Sequence, residues 1–167
     1  YFVITGSHFS LKHGNSINEI HEDKIKIDKK IKIFNFEGSI KSINSSYLEI
    51  FNAFSNFLQK KHIDLVILVG DRFEILSIAS ASLIMRIPIA HIHGGELTEA
   101  SIDNSIRHAV TKISNLHFVS NNTYKNRVQQ MGEDPDYVFN VGGLGVDAMT
   151  SIKYMRKNEL EKELKFK

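Results

Sequence analysis

Leu65-Val66-Ile67-Leu68-Val69 is apolar at every position and ends on Gly70-Asp71. A run this short, rich in branched side chains and closed by a glycine, reads as a strand rather than a helix. Without alternation both of its faces need cover, and a parallel sheet with helices on either side provides it. The run is therefore expected to be a central strand of an α/β domain.

The flanking segments keep a strand and helix rhythm. Residues 1–5 and 31–36 read as strands, separated by a polar, irregular stretch over 6–30. Residues 42–62 give the clearest helix. There Ile43, Tyr47, Ile50, Phe51, Phe54, Phe57 and Leu58 recur at spacings of three and four and form one apolar stripe, with Asn44 or Ser45 as the cap. A mostly apolar helix is expected over 72–86, and a strand over 88–92 with Pro88 where no ladder donor is needed. A helix follows from Ile102 to Ile113, then a strand over 116–119, a helix over 121–131 and a strand over 137–141. Repetition of such units specifies an α/β fold, a Rossmann-like doubly wound sheet in which ligands sit at the carboxyl ends of the strands.

Composition narrows the partners. The 167 residues suit one domain, and the absence of cysteine removes disulfides and thiolate metal sites. That absence agrees with a reducing compartment, so a cytoplasmic protein is expected. A net charge of +2, with acids and bases interleaved, gives no nucleic-acid footprint. No apolar run reaches the ~18–20 residues that span a bilayer, so no membrane partner is expected. The chain opens inside a strand and closes on a charged stretch over 158–167, as expected of part of a longer chain.

Chemistry concentrates just after the strands: Gly6-Ser7-His8, Gly70-Asp71-Arg72, His91-Ile92-His93-Gly94-Gly95-Glu96 and Gly142-Gly143-Leu144-Gly145. Asp71 reads either as a helix N-cap or as a carboxylate held at the ligand edge. Arg72 is a surface residue or a phosphate ligand, for which its planar fork is suited. His91 and His93 lie two apart and would share a side of a strand, where Glu96, Asp103 or His108 could complete a metal site. The plainer reading is a buried, hydrogen-bonded imidazole. Gly94 and Gly95 allow close approach of a ligand or simply a tight turn. Asp103 reads equally as a cap, and Arg107 as a solvated helix residue. The glycines after Val141 can cradle a phosphate or sugar against the next helix. Neither G-x-G-x-x-G nor a Walker A is present, so no NAD, ATP or other cofactor is expected.

Taken in order, these segments resemble the hydrolysing UDP-N-acetylglucosamine 2-epimerases. Ile4-Thr5-Gly6-Ser7-His8-Phe9-Ser10 is similar to an early VTG-x-H-x-S stretch of that family, and residues 15–20 are similar to the family's next segment. The resemblance is strongest at Gly70-Asp71-Arg72-Phe73-Glu74, through residues 91–96 and 102–109, and again over 139–147. It implies the first Rossmann-like domain, over residues 1–155, of a GT-B-like two-domain fold. Residues 156–167 would form a helix leading toward the second domain. A complete member also has an earlier first strand followed by an Arg-containing loop, and much of its nucleotide site lies in the second domain. Some relatives have Glu at the place of His93 and a second Asp at the place of Asn104.

The resemblance implies conversion of a UDP-sugar, UDP-N-acetylglucosamine or its diacetylated 6-deoxy relative, for sialic or other nonulosonic acids. UDP leaves by elimination, and the glycal that remains is hydrated. Asp71, Glu96, Asp103 and His93 are the acid and base candidates, with no metal in the scheme. Arg72 would meet the pyrophosphate. His8 and Arg107 would orient sugar or phosphate, and Gly6, Gly94, Gly95 and Gly143 would line the substrate. A homo-oligomer, dimer or tetramer, is implied. The rival readings are a metal-dependent hydrolase using His91 and His93, a GT-B glycosyltransferase, and a non-catalytic sugar-nucleotide binding module.

Overall fold

The computed structural model describes residues 1–9, 16–33, 39–99 and 101–166. Along them run β1 (Val3–Thr5), α1 (Ile17–Glu22), β2 (Lys29–Ile31), α2 (Ile40–Gln59), β3 (Val66–Val69), α3 (Phe73–Ile84) and β4 (Ile89–Ile92). Then come α4 (Ile102–Lys112), β5 (Leu116–Val119), α5 (Asn122–Gln130), β6 (Val138–Asn140), α6 (Leu144–Ser151) and α7 (Lys157–Glu163). The strands pair in parallel throughout, β1 with β2 and, in a second sheet, β3-β4-β5-β6 in that order. This is the expected parallel α/β sheet flanked by helices. No described helix is long and apolar enough to cross a membrane.

Several elements differ from the sequence-based expectation. The stretch over 6–30 is not irregular throughout: it holds a 3-10 turn at Gly6–Phe9, the helix α1 and the start of β2. Helix α1 buries none of its residues, so no apolar period marks it. The strand expected over 31–36 is β2, two residues earlier; positions 34–36, like Ser10 and Asn15 of the early motif, lie outside the described residues. Helix α2 starts before Ser42. Ser39 caps it, being extended and accepting a hydrogen bond from the Ser42 amide, which displaces Asn44 and Ser45 from that role. Its stripe does form the core: Ile50, Phe54, Phe57 and Leu58 are buried, each worth roughly 1.5–3 kcal/mol of transfer.

The largest correction concerns β3. Register places Val66 and Leu68 on the same face of the sheet as Ile89, His91, His117 and Val138. Helices α2, α3 and α4 pack there through Ile50, Ile78, Ile106 and Val110, and α5 through Val128. Ile67 and Val69 point to the opposite face and are 63% and 48% exposed. Among the described residues β3 thus stands at the edge of its sheet with one face covered, where the sequence suggested a central strand with two. Between it and β1 lies a trench of about 710 Å³, lined by Phe2 and Val3 on one side and Ile67 to Val69 on the other. Tyr1 and Leu65 stand together along this trench, while Gly6, Ser7, Gly70 and Asp71 share the neighbouring hollow. The two strands therefore bring their carboxyl ends to one edge.

Candidate active site

Gly70 takes φ of 91° and turns the chain off β3, a conformation cheap only for glycine. The N-cap of α3 is Arg72, with no side-chain capping bond, so the capping alternative for Asp71 falls away. Asp71 instead accepts a hydrogen bond from Arg107 Nη2, which also donates to Thr98 Oγ1 at 3.2 Å. The Arg107 side chain is 8% exposed and that of Asp71 19%, so this ion pair stands largely out of water. Arg107 Nε and Nη1 are buried without a partner among the described residues. Asp103 sits four residues before Arg107 in the first turn of α4, on the same helix face. Its capping alternative fails too, because Ser101 is the N-cap and accepts from the Asp103 amide.

His91 holds this turn from below. It is fully buried in β4, with Nε2 2.9 Å from the Gly70 carbonyl and Nδ1 3.2 Å from Thr111 Oγ1. A carbonyl only accepts, so the proton resides on Nε2. Burial pushes the His91 pKa down to about 4, and the ring is neutral at neutral pH.

His93 leaves the strand in a different direction. Its φ of 67° lies in the left-handed region, sparsely used by side chains other than glycine. Its Nδ1 donates to Glu96 Oε1 at 2.6 Å, and Ser120 Oγ donates to the same oxygen at 2.9 Å. His93 and Glu96 side chains are 22% and 25% exposed, so this pair borders the open edge. His91 and His93 thus do not share partners. Among the described residues no group of three or more His, Asp and Glu is placed to hold a metal.

The glycines here serve close packing within the protein. A Cβ on Gly95, whose φ is 77°, would come within 2.6 Å of the Tyr124 carbonyl in α5. One on Gly94 would meet Thr111 Oγ1 at 3.1 Å. Gly6, with φ of 71°, lies over buried Glu74, whose Oε1 would be 2.7 Å from an added Cβ. Glu74 is paired with Arg72 at 3.2 Å, whose side chain is 52% exposed. Gly6 and Arg72 thereby meet through an acid that the sequence places in a motif but does not mark as part of the site. His8 Nδ1 lies 2.9 Å from Ser16 Oγ. Gly143, the N-cap of α6, comes near Ser120, whose Cβ would be 3.7 Å from an added one.

Of the expected site residues the structure therefore joins Asp71 to Arg107, His93 to Glu96, and Arg72 to Gly6 through Glu74, while Asp103 stands one helical turn before Arg107. Sequence reasoning missed Glu74, Thr98, Thr111 and Ser120. A buried acid inside an otherwise apolar helix start marks Glu74, and a lone hydroxyl at a strand end marks Ser120.

A family model described as UDP-N-acetylglucosamine 2-epimerase matches residues 1–167. The chain is 42% identical over 165 residues to a Campylobacter jejuni protein named GDP/UDP-N,N'-diacetylbacillosamine 2-epimerase (hydrolyzing), covering 99% of this chain and 43% of that one. It is 42% identical over 159 residues to the Escherichia coli polysialic acid biosynthesis protein P7, covering 95% and 41%. A Legionella pneumophila UDP-N,N'-diacetylbacillosamine 2-epimerase (hydrolyzing) is 33% identical over 150 residues, covering 90% and 40%. The chain thus spans about two fifths of the length of these relatives. Among solved structures, a Listeria monocytogenes putative UDP-N-acetylglucosamine 2-epimerase superposes with a TM-score of 0.77 at 18% identity, covering 93% and 41%. The Neisseria meningitidis UDP-GlcNAc 2-epimerase bound to UDP-GlcNAc gives 0.74 at 21%, covering 83% and 38%.

Proposed function

The chain belongs to the UDP-N-acetylglucosamine 2-epimerase family, and from that premise we propose that the protein is a hydrolysing sugar-nucleotide 2-epimerase. The reaction converts UDP-N-acetylglucosamine and water to N-acetylmannosamine and UDP. The observation that carries this reading is the presence of an ion pair, Asp71 with Arg107, and an imidazole and carboxylate pair, His93 with Glu96, after neighbouring strands.

The chemistry needs both. The C2 proton has no neighbouring carbonyl and is weakly acidic. As the C1–O bond to UDP breaks, positive charge grows at C1 and acidifies C2–H. A base takes that proton, and a glycal forms. Water then adds to C1 while an acid returns a proton to C2 from the opposite face. In this proposal His93 is the first proton carrier. Its Nδ1–H is tied to the Glu96 carboxylate, which leaves Nε2 as the working nitrogen. Asp71 supplies the fixed negative charge that faces C1 or the second proton transfer, and Asp103, one turn before Arg107 on α4, is the further acid candidate. Arg72 meets the pyrophosphate as charge accumulates there, and His8, Arg107 and Gly143 complete the sugar and phosphate contacts. Gly6, Gly94 and Gly95 shape the walls.

A second substrate has its own support: the Campylobacter and Legionella relatives carry names that specify N,N'-diacetylbacillosamine. The Escherichia coli relative's name supports a place in sialic acid biosynthesis. We take the protein to be cytoplasmic and a homo-oligomer, dimer or tetramer. Proton NMR of each UDP-sugar incubated with the full-length protein tests the function. UDP and the free manno-configured sugar are expected from at least one substrate, with or without chelator. Activity abolished by chelator would favour the metal-dependent hydrolase, and transfer only to an added acceptor would favour the glycosyltransferase.

A further inference from the structure

Glu96 Oε1 accepts two hydrogen bonds, one from His93 Nδ1 at 2.6 Å and one from Ser120 Oγ at 2.9 Å. Ser120 directly follows β5, the strand beside β4, and the His93 amide donates to the Phe118 carbonyl at 2.9 Å. The hydroxyl is thus delivered by the sheet itself, whereas Glu96 stands on the loop between β4 and α4. A carboxylate on a loop has three side-chain torsions to fix, and one contact to an imidazole that is itself in a left-handed backbone conformation fixes few of them. A second donor from a rigid strand end supplies the missing restraint.

We propose that Ser120 is a positioning residue: by anchoring Glu96 Oε1 it keeps the proton of neutral His93 on Nδ1, so that Nε2 presents its lone pair to the sugar. This deepens the epimerase reading and rests on it. The physical link is direct. A carboxylate oxygen only accepts, so a held Glu96 demands Nδ1–H. Released from Ser120, Glu96 swings toward water, and the imidazole is free to carry its proton on Nε2, the wrong nitrogen for a base. No atom of Ser120 need touch the substrate.

Two readouts on the full-length protein test the role. With ¹⁵N-histidine labelling, and His93→Gln to assign the resonance, neutral His93 is expected on the Nδ1–H tautomer. Ser120→Ala should shift it to a mixture with Nε2–H, and Ser120→Thr, which keeps the hydroxyl, should restore it. In turnover, Ser120→Ala should lower kcat roughly tenfold with KM within about twofold, and Ser120→Thr should recover most of it. An unchanged His93 tautomer in Ser120→Ala overturns the proposal, whatever happens to kcat, because a purely structural loss would lower activity without moving the proton. Wild-type protein inactive on both UDP-sugars, with the tautomer responding as expected, overturns the epimerase reading and leaves the positioning of His93 in place.

Discussion

Two pairs of opposite character sit at the same sheet edge. Arg107 and Asp71 are joined between a buried helix residue and a strand end, with side chains 8% and 19% exposed. His93 and Glu96 are joined within one loop, at 22% and 25%. The first couples a guanidinium to a carboxylate; the second couples an imidazole, whose two nitrogens can pass a proton, to another. In the proposed reaction the difference would separate two jobs that elimination and hydration must combine, a standing electrostatic field and a mobile proton. It also separates two kinds of vulnerability, since a closed pair fails by destabilising the fold and an open one by losing chemistry.

The largest effect is expected at the closed pair. Asp71→Asn should cut kcat by about a thousandfold or more. Because it leaves the buried Arg107 cation unpaired, it should also cost about 3 kcal/mol of stability, measured by urea unfolding. A fully active Asp71→Asn protein would remove the fixed-charge half of the comparison. His93→Gln should be about a hundredfold slower, as loss of a general base commonly is, with an unfolding midpoint close to the wild type. A large loss of stability there would erase the distinction between the pairs.

Acid should reach the closed side through the fold. The His91 pKa is lowered from 6.5 to about 4 by burial, so its contribution to stability is complete above about pH 6.5. Between about pH 6.5 and pH 4 the unfolded chain binds the proton that the folded one refuses, and about 1.4 kcal/mol is lost per pH unit. Urea titrations at pH 7 and pH 5 would show this, and His91→Gln should flatten the slope. The smallest effect is expected at Arg72→Lys. It exchanges a bidentate fork for a point charge and should raise KM by roughly tenfold with kcat little changed.

How much of this was legible in the sequence depends on how local the cause is. The strand Leu116–Val119 and the helix beginning at Ile102 were readable because their apolar pattern lies within the segment, although the cap is Ser101 and not Asp103. The status of β3 was not. Five apolar residues announce a strand, but whether Ile67 and Val69 are covered depends on a neighbour elsewhere in the chain. At the site, Asp71, His93 and Glu96 could be named from their places after strands, and Arg107 from its place in the helix that follows one. Which groups pair could not, because Asp71 and Arg107 are 36 residues apart and are brought together by the packing of α4 on α3, which follows β3. His91 illustrates the same limit. Its spacing from His93 suggested a shared metal, while the positive φ of His93 and the Gly70 carbonyl send the two rings to different partners.

The central claim is proton exchange at C2 of the sugar, and the most direct measurement is the reaction run in deuterium oxide, with mass spectrometry and NMR of the released sugar. The account predicts one solvent deuteron at C2 of every manno-configured product molecule. Release of a gluco-configured sugar that keeps its original C2 hydrogen would contradict it, since C1 would then have been hydrolysed with no acid or base acting at C2.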